Sequence, residues 1–202
     1  MKKLFLIIFV FILVFVIYYL NLDRKVYVLS IGDNVLFNDN YKINIDNYMG
    51  NKLEDNVLFC DDGDYRIIDL LNDIKGNKKF RYGNKEYTLD NVLIKADVIF
   101  ISIGMNDLTY NKVNNNYDYV DEVFRDLRKL LVLIRKYSKE RIFIFNYCCL
   151  SNDDILKYIN KKLSDLVFNY DIEIIDISSI KNEFLSTNEY KYIGDIIIKY
   201  LK

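Results

Sequence analysis

The stretch that most constrains the fold is residues 96–103, which are rich in β-branched and aromatic side chains. A run that is apolar on both faces is typical of a central parallel strand, because helices cover both sides of such a strand. Gly104 ends the run, and Asn106 and Asp107 follow it. Since ligands bind at the carboxyl ends of strands in open α/β sheets, Asn106 is predicted to lie at that edge.

Two interpretations of this strand end remain open. An asparagine amide at the edge of the sheet can donate a hydrogen bond to a developing oxyanion. Alternatively, Gly104 makes the bend after the strand, and Asn106 and Asp107 are ordinary turn or cap residues. A loop is expected after Asp107, up to Asn116.

Strands and helices are predicted to alternate along the rest of the chain. A helix is clearest at 117–138, and another should begin at a capping box of Ser151 and Asp154. The predicted strands are 25–31, 57–60, 97–103, 141–147 and 172–177. Alternation of this kind predicts an α/β fold: a three-layer α/β/α sandwich with a five-stranded parallel sheet and right-handed crossovers.

The N-terminus is predicted to be a membrane anchor. Residues 4–20 are an unbroken apolar run, preceded by Lys2 and Lys3. A helix of this length spans roughly 26 Å, close to the hydrocarbon thickness of a bilayer. No small-residue cleavage site follows it, so we expect an uncleaved single-pass helix in residues 1–22 and one domain in residues 25–202. The positive charge before the run favours an extracytoplasmic domain.

Composition excludes several kinds of site. The net charge is −1, which does not suit a nucleic-acid binder. Histidine is absent, so the chain has no Ser-His or Cys-His pair and no histidine metal ligand. Cys60, Cys148 and Cys149 lack the spacing of a metal site, and we expect no cofactor. The favoured interpretation of the three cysteines is that they are small buried residues. A disulfide bond from Cys60 to Cys148 or Cys149 remains the alternative.

Four blocks of the sequence resemble those of the SGNH (GDSL) hydrolases. Residues 28–34 are similar to the Gly-Asp-Ser block, with Asn34 in place of the nucleophilic serine after Asp33. Residues 103–107 match the Gly-x-Asn-Asp block, in which the asparagine, here Asn106, serves the oxyanion hole. The other two blocks are matched by residues 62–71 and 184–190.

The resemblance also implies roles for these last two blocks. Gly63 or Asp64 would provide the second oxyanion donor, and Phe184 stands where the base histidine belongs. It implies a flavodoxin-like sheet in which strand 25–31 lies between strands 57–60 and 97–103. The family's mechanism needs an activated hydroxyl, a base and oxyanion donors. This chain lacks the first two, so the resemblance implies an inactive or impaired esterase-like protein that retains a ligand pocket.

Two other functions remain open. Asp33, Asp64 and Asp107 would act as acid and base, or hold a divalent cation, if they clustered at the edge of the sheet. The simpler interpretation is that these aspartates are ordinary residues of turns and helix caps. The chain would otherwise be a non-catalytic interaction module of the cell envelope. An acylated glycan or another cell-envelope molecule is the ligand that the resemblance suggests.

Overall fold

A computed structural model describes most of the predicted domain. The described residues are 27–33, 48, 57–61, 65–82, 85–110, 117–148, 150, 152–180 and 186–201. No helix within these ranges is long and apolar enough to cross a membrane. The predicted anchor, residues 1–22, lies outside them.

The five predicted strands follow one another in the predicted order, and two further strands lie between the first two helices. The strands are β1 (Val28–Gly32), β2 (Val57–Asp61), β3 (Lys79–Tyr82), β4 (Lys85–Thr88), β5 (Val98–Ser102), β6 (Arg141–Phe145) and β7 (Ile172–Ile175). The helices are α1 (Ile67–Lys75), α2 (Leu89–Lys95), α3 (Met105–Tyr110), α4 (Tyr117–Tyr137), α5 (Asp153–Val167) and α6 (Thr187–Leu201), and a 3-10 turn covers Phe168–Tyr170.

The main sheet has the order β2-β1-β5-β6-β7, and its strand pairs are all parallel. β1 therefore lies between β2 and β5, as the resemblance implied. β3 and β4 form a separate antiparallel hairpin. The predicted α/β architecture with a parallel sheet is confirmed, and the carboxyl ends of β1 and β5 lie side by side.

The sheet separates two apolar cores because alternate side chains of a strand point to opposite faces. Ile99 and Ile101 of β5 pack with α1, α2, α4 and α5, whereas Val98 and Phe100 pack with α6. Cys60 and Cys148 are buried in different cores, one in each, and Cys149 lies outside the described residues. Helices thus cover both faces of the sheet.

Two local predictions were wrong. The loop predicted after Asp107 was wrong for residues 108–110, which belong to α3 because the carboxylate of Asp33, at the end of β1, caps this helix. The rest of that predicted loop, residues 111–116, lies outside the described residues. The cap of α5 is Asn152, whose side-chain oxygen accepts hydrogen bonds from the main-chain N–H groups of Asp154 and Ile155 at 3.0 and 3.2 Å. The predicted capping pair, Ser151 and Asp154, is therefore replaced by a cap one residue later.

Candidate functional site at the carboxyl ends of the strands

β1 and β5 approach each other closely at their carboxyl ends. Gly32 has a φ of +149°, and a Cβ atom there would lie 1.5 Å from the carbonyl oxygen of Ser102. The main-chain N–H of Asp33 donates to that same oxygen at 2.6 Å. Only glycine allows this approach, and the approach fixes where Asp33 leaves the strand.

The Asp33 side chain is fully buried and holds the start of α3. Its Oδ2 atom accepts a hydrogen bond from the main-chain N–H of Met105 at 2.8 Å, and its Oδ1 atom accepts one from the Ser102 hydroxyl at 3.2 Å. Met105 is the first residue of α3, whose N–H groups have no partner within the helix. Asp33 therefore caps a helix that lies about seventy residues further along the chain.

Asn106 lies in the first turn of α3, half-buried, at the same end of the sheet. Its side-chain Nδ2 donates to the main-chain carbonyl of Tyr65 at 2.9 Å. A primary amide carries two N–H donors, and this bond uses one of them. The amide that the resemblance assigns to an oxyanion hole is thus oriented by the segment before α1.

Asp107 of α3 also binds the start of α1, but here the side chain of α3 accepts the hydrogen bond instead of donating it. Its Oδ2 accepts a hydrogen bond from the main-chain N–H of Ile67, the first residue of α1, at 2.9 Å. Burial raises the pKa of this carboxyl, while the bond from Ile67 opposes the rise. The hydroxyl of Tyr119 donates to the main-chain carbonyl of Asp107 at 2.8 Å. Both aspartates of the two strand ends therefore bind the first N–H of a helix.

Tyr65 is held at its other end by charged side chains. Its hydroxyl donates to the Asp73 carboxylate, and the Lys78 ammonium donates to both, at 3.1 Å to Tyr65 and 2.8 Å to Asp73. Burial and the bond to Asp73 raise the pKa of Tyr65 to about 12. This network fixes the carbonyl that orients Asn106. The sequence analysis missed it, because nothing in the spacing of these residues marks them as partners.

Tyr147 is a second residue that the sequence analysis missed. It lies just after β6, almost fully buried, and its hydroxyl donates to the carbonyl of Ile103 at 3.1 Å. A Cβ atom at Gly104, which has a φ of +104°, would lie 2.6 Å from this hydroxyl. Burial raises the pKa of Tyr147, and the charges of Asp33 and Asp107 raise it further. The one signal in the sequence that could have indicated a role for Tyr147 was its position two residues beyond the end of a strand.

The main chain of Tyr147 is fixed by a side chain of α5. The N–H of Tyr147 donates to Asn160 Oδ1 at 2.8 Å, and Asn160 Nδ2 donates back to the Tyr147 carbonyl at 2.9 Å. The structure brings Asp33, Asn106 and Asp107 to one end of the sheet, where the charges of the two aspartates also act on Tyr147.

The remaining predicted site residues, Asn34, Gly63, Asp64 and Phe184, lie outside the described residues. Within the described ranges, no three cysteine or acidic side chains lie close enough together to hold a metal ion.

The sequence matches no model of a known protein family and no curated protein. Solved structures do share its fold. An acetyl xylan esterase is 12% identical, with 88% of this chain and 100% of that chain covered and a TM-score of 0.66. A carbohydrate esterase of family 3 from Talaromyces cellulolyticus is 15% identical, with coverages of 87% and 96% and a TM-score of 0.62. A member of the lipolytic G-D-S-L family from Veillonella parvula is 13% identical, with coverages of 86% and 97% and a TM-score of 0.60.

These similarities define the class of fold. The chain has the fold of the SGNH hydrolases, as its four sequence blocks predicted. Its similarity to those structures concerns architecture, since so few residues are identical.

Proposed function

We propose that this chain is a membrane-anchored protein of the SGNH-hydrolase fold that binds an ester-bearing ligand, such as an acylated glycan, without serine-type hydrolysis. Asn34 occupies the nucleophile position and Phe184 the base position of the resemblance, and the sequence contains no histidine. An asparagine amide is not a nucleophile, and phenylalanine accepts no proton. Loss of nucleophile and base together removes the family's route to ester cleavage.

The observation that carries the proposal is that Asp33 and Asp107 are both engaged in hydrogen bonds to helix starts. Asp33 and Asp107 each accept a main-chain N–H from the first residue of a helix, Met105 and Ile67 respectively. A carboxylate that holds a helix in this way supports the scaffold, which favours a binding pocket over chemistry moved onto these acids. The names of two similar structures, an acetyl xylan esterase and a carbohydrate esterase, support a glycan as the ligand.

One observation favours the competing function, a hydrolase with relocated acid and base. Burial raises the pKa of Asp107, and a raised pKa is what a carboxyl needs to act as a general acid near neutral pH. If this function were correct, the unmodified protein would hydrolyse short-chain esters, and Asp107→Asn would abolish that activity.

Ester hydrolysis tests the proposal directly. The unmodified protein should not hydrolyse p-nitrophenyl acetate above the rate of a blank, and a serine-directed phosphonate should not label it. Asn34→Ser alone should remain inactive, because no base takes the hydroxyl proton. Asn34→Ser with Phe184→His is expected to give trace activity if the imidazole reaches the new hydroxyl at about 3 Å. Robust hydrolysis by the unmodified protein that survives Asn106→Ala would overturn the assignment of the site.

Binding and placement need separate measurements. We propose that residues 1–22 span the membrane once and that the domain lies outside the cytoplasm. Protease added to intact cells should then degrade the domain. Retention of purified acetylated xylan without release of acetate would support a pocket for acylated glycans. Retention of cell-envelope glycan that Asn106→Ala leaves unchanged would instead favour a general interaction module.

A further inference from the structure

We propose that a groove between α4 and α5 is a second binding site, which takes an acidic saccharide, a sugar chain bearing carboxylates. The cavity has a volume of about 420 Å³. Its polar lining comes from Asp121, Arg125, Arg128, Lys162 and Asp165. None of these residues belongs to the site at the strand ends, so this proposal does not rest on the proposed function.

Two exposed arginines of this groove, Arg125 and Arg128, make no ion pair or hydrogen bond within the described part of the chain. The bond from Lys162 lowers the pKa of the Asp121 carboxyl, and the charge of Arg125 adds to this effect. Three other arginines do have partners. Arg66 binds Asp69, Arg135 binds the carbonyls of Tyr170, Glu140 and Asp171, and Arg141 binds Glu173 and the carbonyl of Tyr200. The two unpaired guanidinium groups are one helical turn apart and line the same cavity.

The third cation of the groove is already neutralised. The Lys162 ammonium lies 2.6 Å from the Asp121 carboxylate, which also accepts a hydrogen bond from the Tyr158 hydroxyl at 3.1 Å. Lys162 also lies 5.3 Å from the centre of the Tyr158 ring. The arginines are therefore the cations available to a ligand. A guanidinium fork matches the two oxygens of a carboxylate.

The unpaired acid of the groove selects among anions. Asp165 makes no ion pair within the described residues, so it repels a ligand that carries negative charge along its whole length, which disfavours nucleic acid. Carboxylates accept hydrogen bonds from hydroxyl groups, so a ligand with both hydroxyls and an anionic group satisfies both kinds of lining. A sugar acid has this combination.

The apolar part of the groove fits the same ligand. Phe124 and Leu166 line the groove, each almost fully buried, and the small apolar surface they expose there can contact C–H groups of a sugar ring. The cavity is several times the volume of one carboxylate group, so it suits a chain of sugars rather than a simple anion.

The experiment is a calorimetric titration of the full chain in detergent with a short oligogalacturonate. Its carboxyl-reduced, neutral counterpart serves as the matched ligand, and inorganic phosphate as the simple anion. We expect the acidic oligosaccharide to bind and the neutral one to bind at least about tenfold more weakly. Phosphate should not displace it at equal concentration.

Variants assign the binding to the groove. Arg125→Gln with Arg128→Gln should weaken binding by about tenfold or more. Lys191→Gln with Lys199→Gln, on exposed positions of α6, removes the same charge and should leave binding unchanged. If the glutamine pair does not fold, Arg125→Lys with Arg128→Lys keeps the charge but loses the guanidinium fork, and it should still bind more weakly.

Four results would overturn the proposal. They are no binding of the oligogalacturonate, equal binding of its neutral counterpart, displacement by phosphate at equal concentration, and unchanged binding by a folded arginine variant. The second and third would show a site for neutral sugars or for simple anions.

Discussion

At Gly32 a single added methyl group would meet the backbone of the neighbouring strand. The new Cβ would lie 1.5 Å from Ser102 O, so Gly32→Ala forces β1 and β5 apart. We expect it to destabilise the protein by more than about 4 kcal/mol and to abolish soluble expression. The yield of soluble protein measures this, together with circular dichroism on any Gly32→Ala protein that is recovered.

Gly76→Ala is the matched control. Its Cβ would lie 3.1 Å from the carbonyl oxygen of Asn72, and its φ of −83° suits any residue. This variant should fold and lose little stability. A Gly32→Ala protein with the melting temperature of the unmodified chain would contradict the described approach of the two strands.

Asp107 should make stability depend on pH. Its folded-state pKa lies above the unfolded value of about 3.9, so the folded chain holds the proton more tightly. Its contribution to the free energy of unfolding therefore falls as pH rises from about 4 through the folded-state pKa. Relative to Asp107→Asn, which keeps an oxygen for Ile67 N–H, the unmodified protein should be least stable at neutral pH.

Thermal unfolding of both proteins at a series of pH values checks this. The difference in melting temperature should shrink as the pH falls toward about 4, and a difference that widens instead would contradict it. Asp107→Ala provides a control, because it leaves the N–H of Ile67 without its acceptor and should be less stable than Asp107→Asn throughout.

At the scale of elements, Tyr65 links α1 to the amide of Asn106. Tyr65→Phe keeps the carbonyl that Asn106 binds but loses the hydroxyl bonds to Asp73 and Lys78. We expect a stability loss of about 1 kcal/mol and a shift of the Asn106 side-chain amide signals in a ¹⁵N NMR spectrum.

Tyr192→Phe is the comparison for this variant, since Tyr192 is half exposed on α6. It should leave the Asn106 signals in place. If Tyr65→Phe also left them in place, the network would have no part in orienting the amide.

The sequence predicted the strands better than the helix starts. β5 was predictable because its side chains are apolar on both faces. The parallel direction of the strands followed from their alternation with helices, and the place of β1 between β2 and β5 followed from the resemblance of the blocks. α3 was missed because Asn106 and Asp107 are typical of turns, whereas the cap that starts this helix is the distant Asp33. No local pattern reveals a partner so far along the chain.

The residues of the candidate site also fall into those that the sequence could predict and those that it could not. Asn106 and Asp107 were predictable because each follows a strand within a recognisable block. Tyr65 and Tyr147 were not, because their roles depend on a carbonyl and on burial that only the folded chain creates.

For the whole molecule, the prediction concerns residues 1–22. Within the described part of the chain, which begins at residue 27, both cores are complete enough to enclose the sheet, so deleting the apolar run should leave a soluble, folded domain. Gel filtration and circular dichroism of residues 25–202 measure this. Aggregation of the truncated chain beside a folded full-length protein would show that the run belongs to the core.

The bonds from Asp33 to Met105 and from Asp107 to Ile67 have a consequence for how such a chain evolves. They join carboxylates to main-chain N–H groups and include neither position 34 nor position 184. A substitution at position 34 or 184 therefore leaves the partners of these two bonds in place. In a chain built this way, the residues that would carry a reaction can change while the first N–H groups of these two helices keep their acceptors.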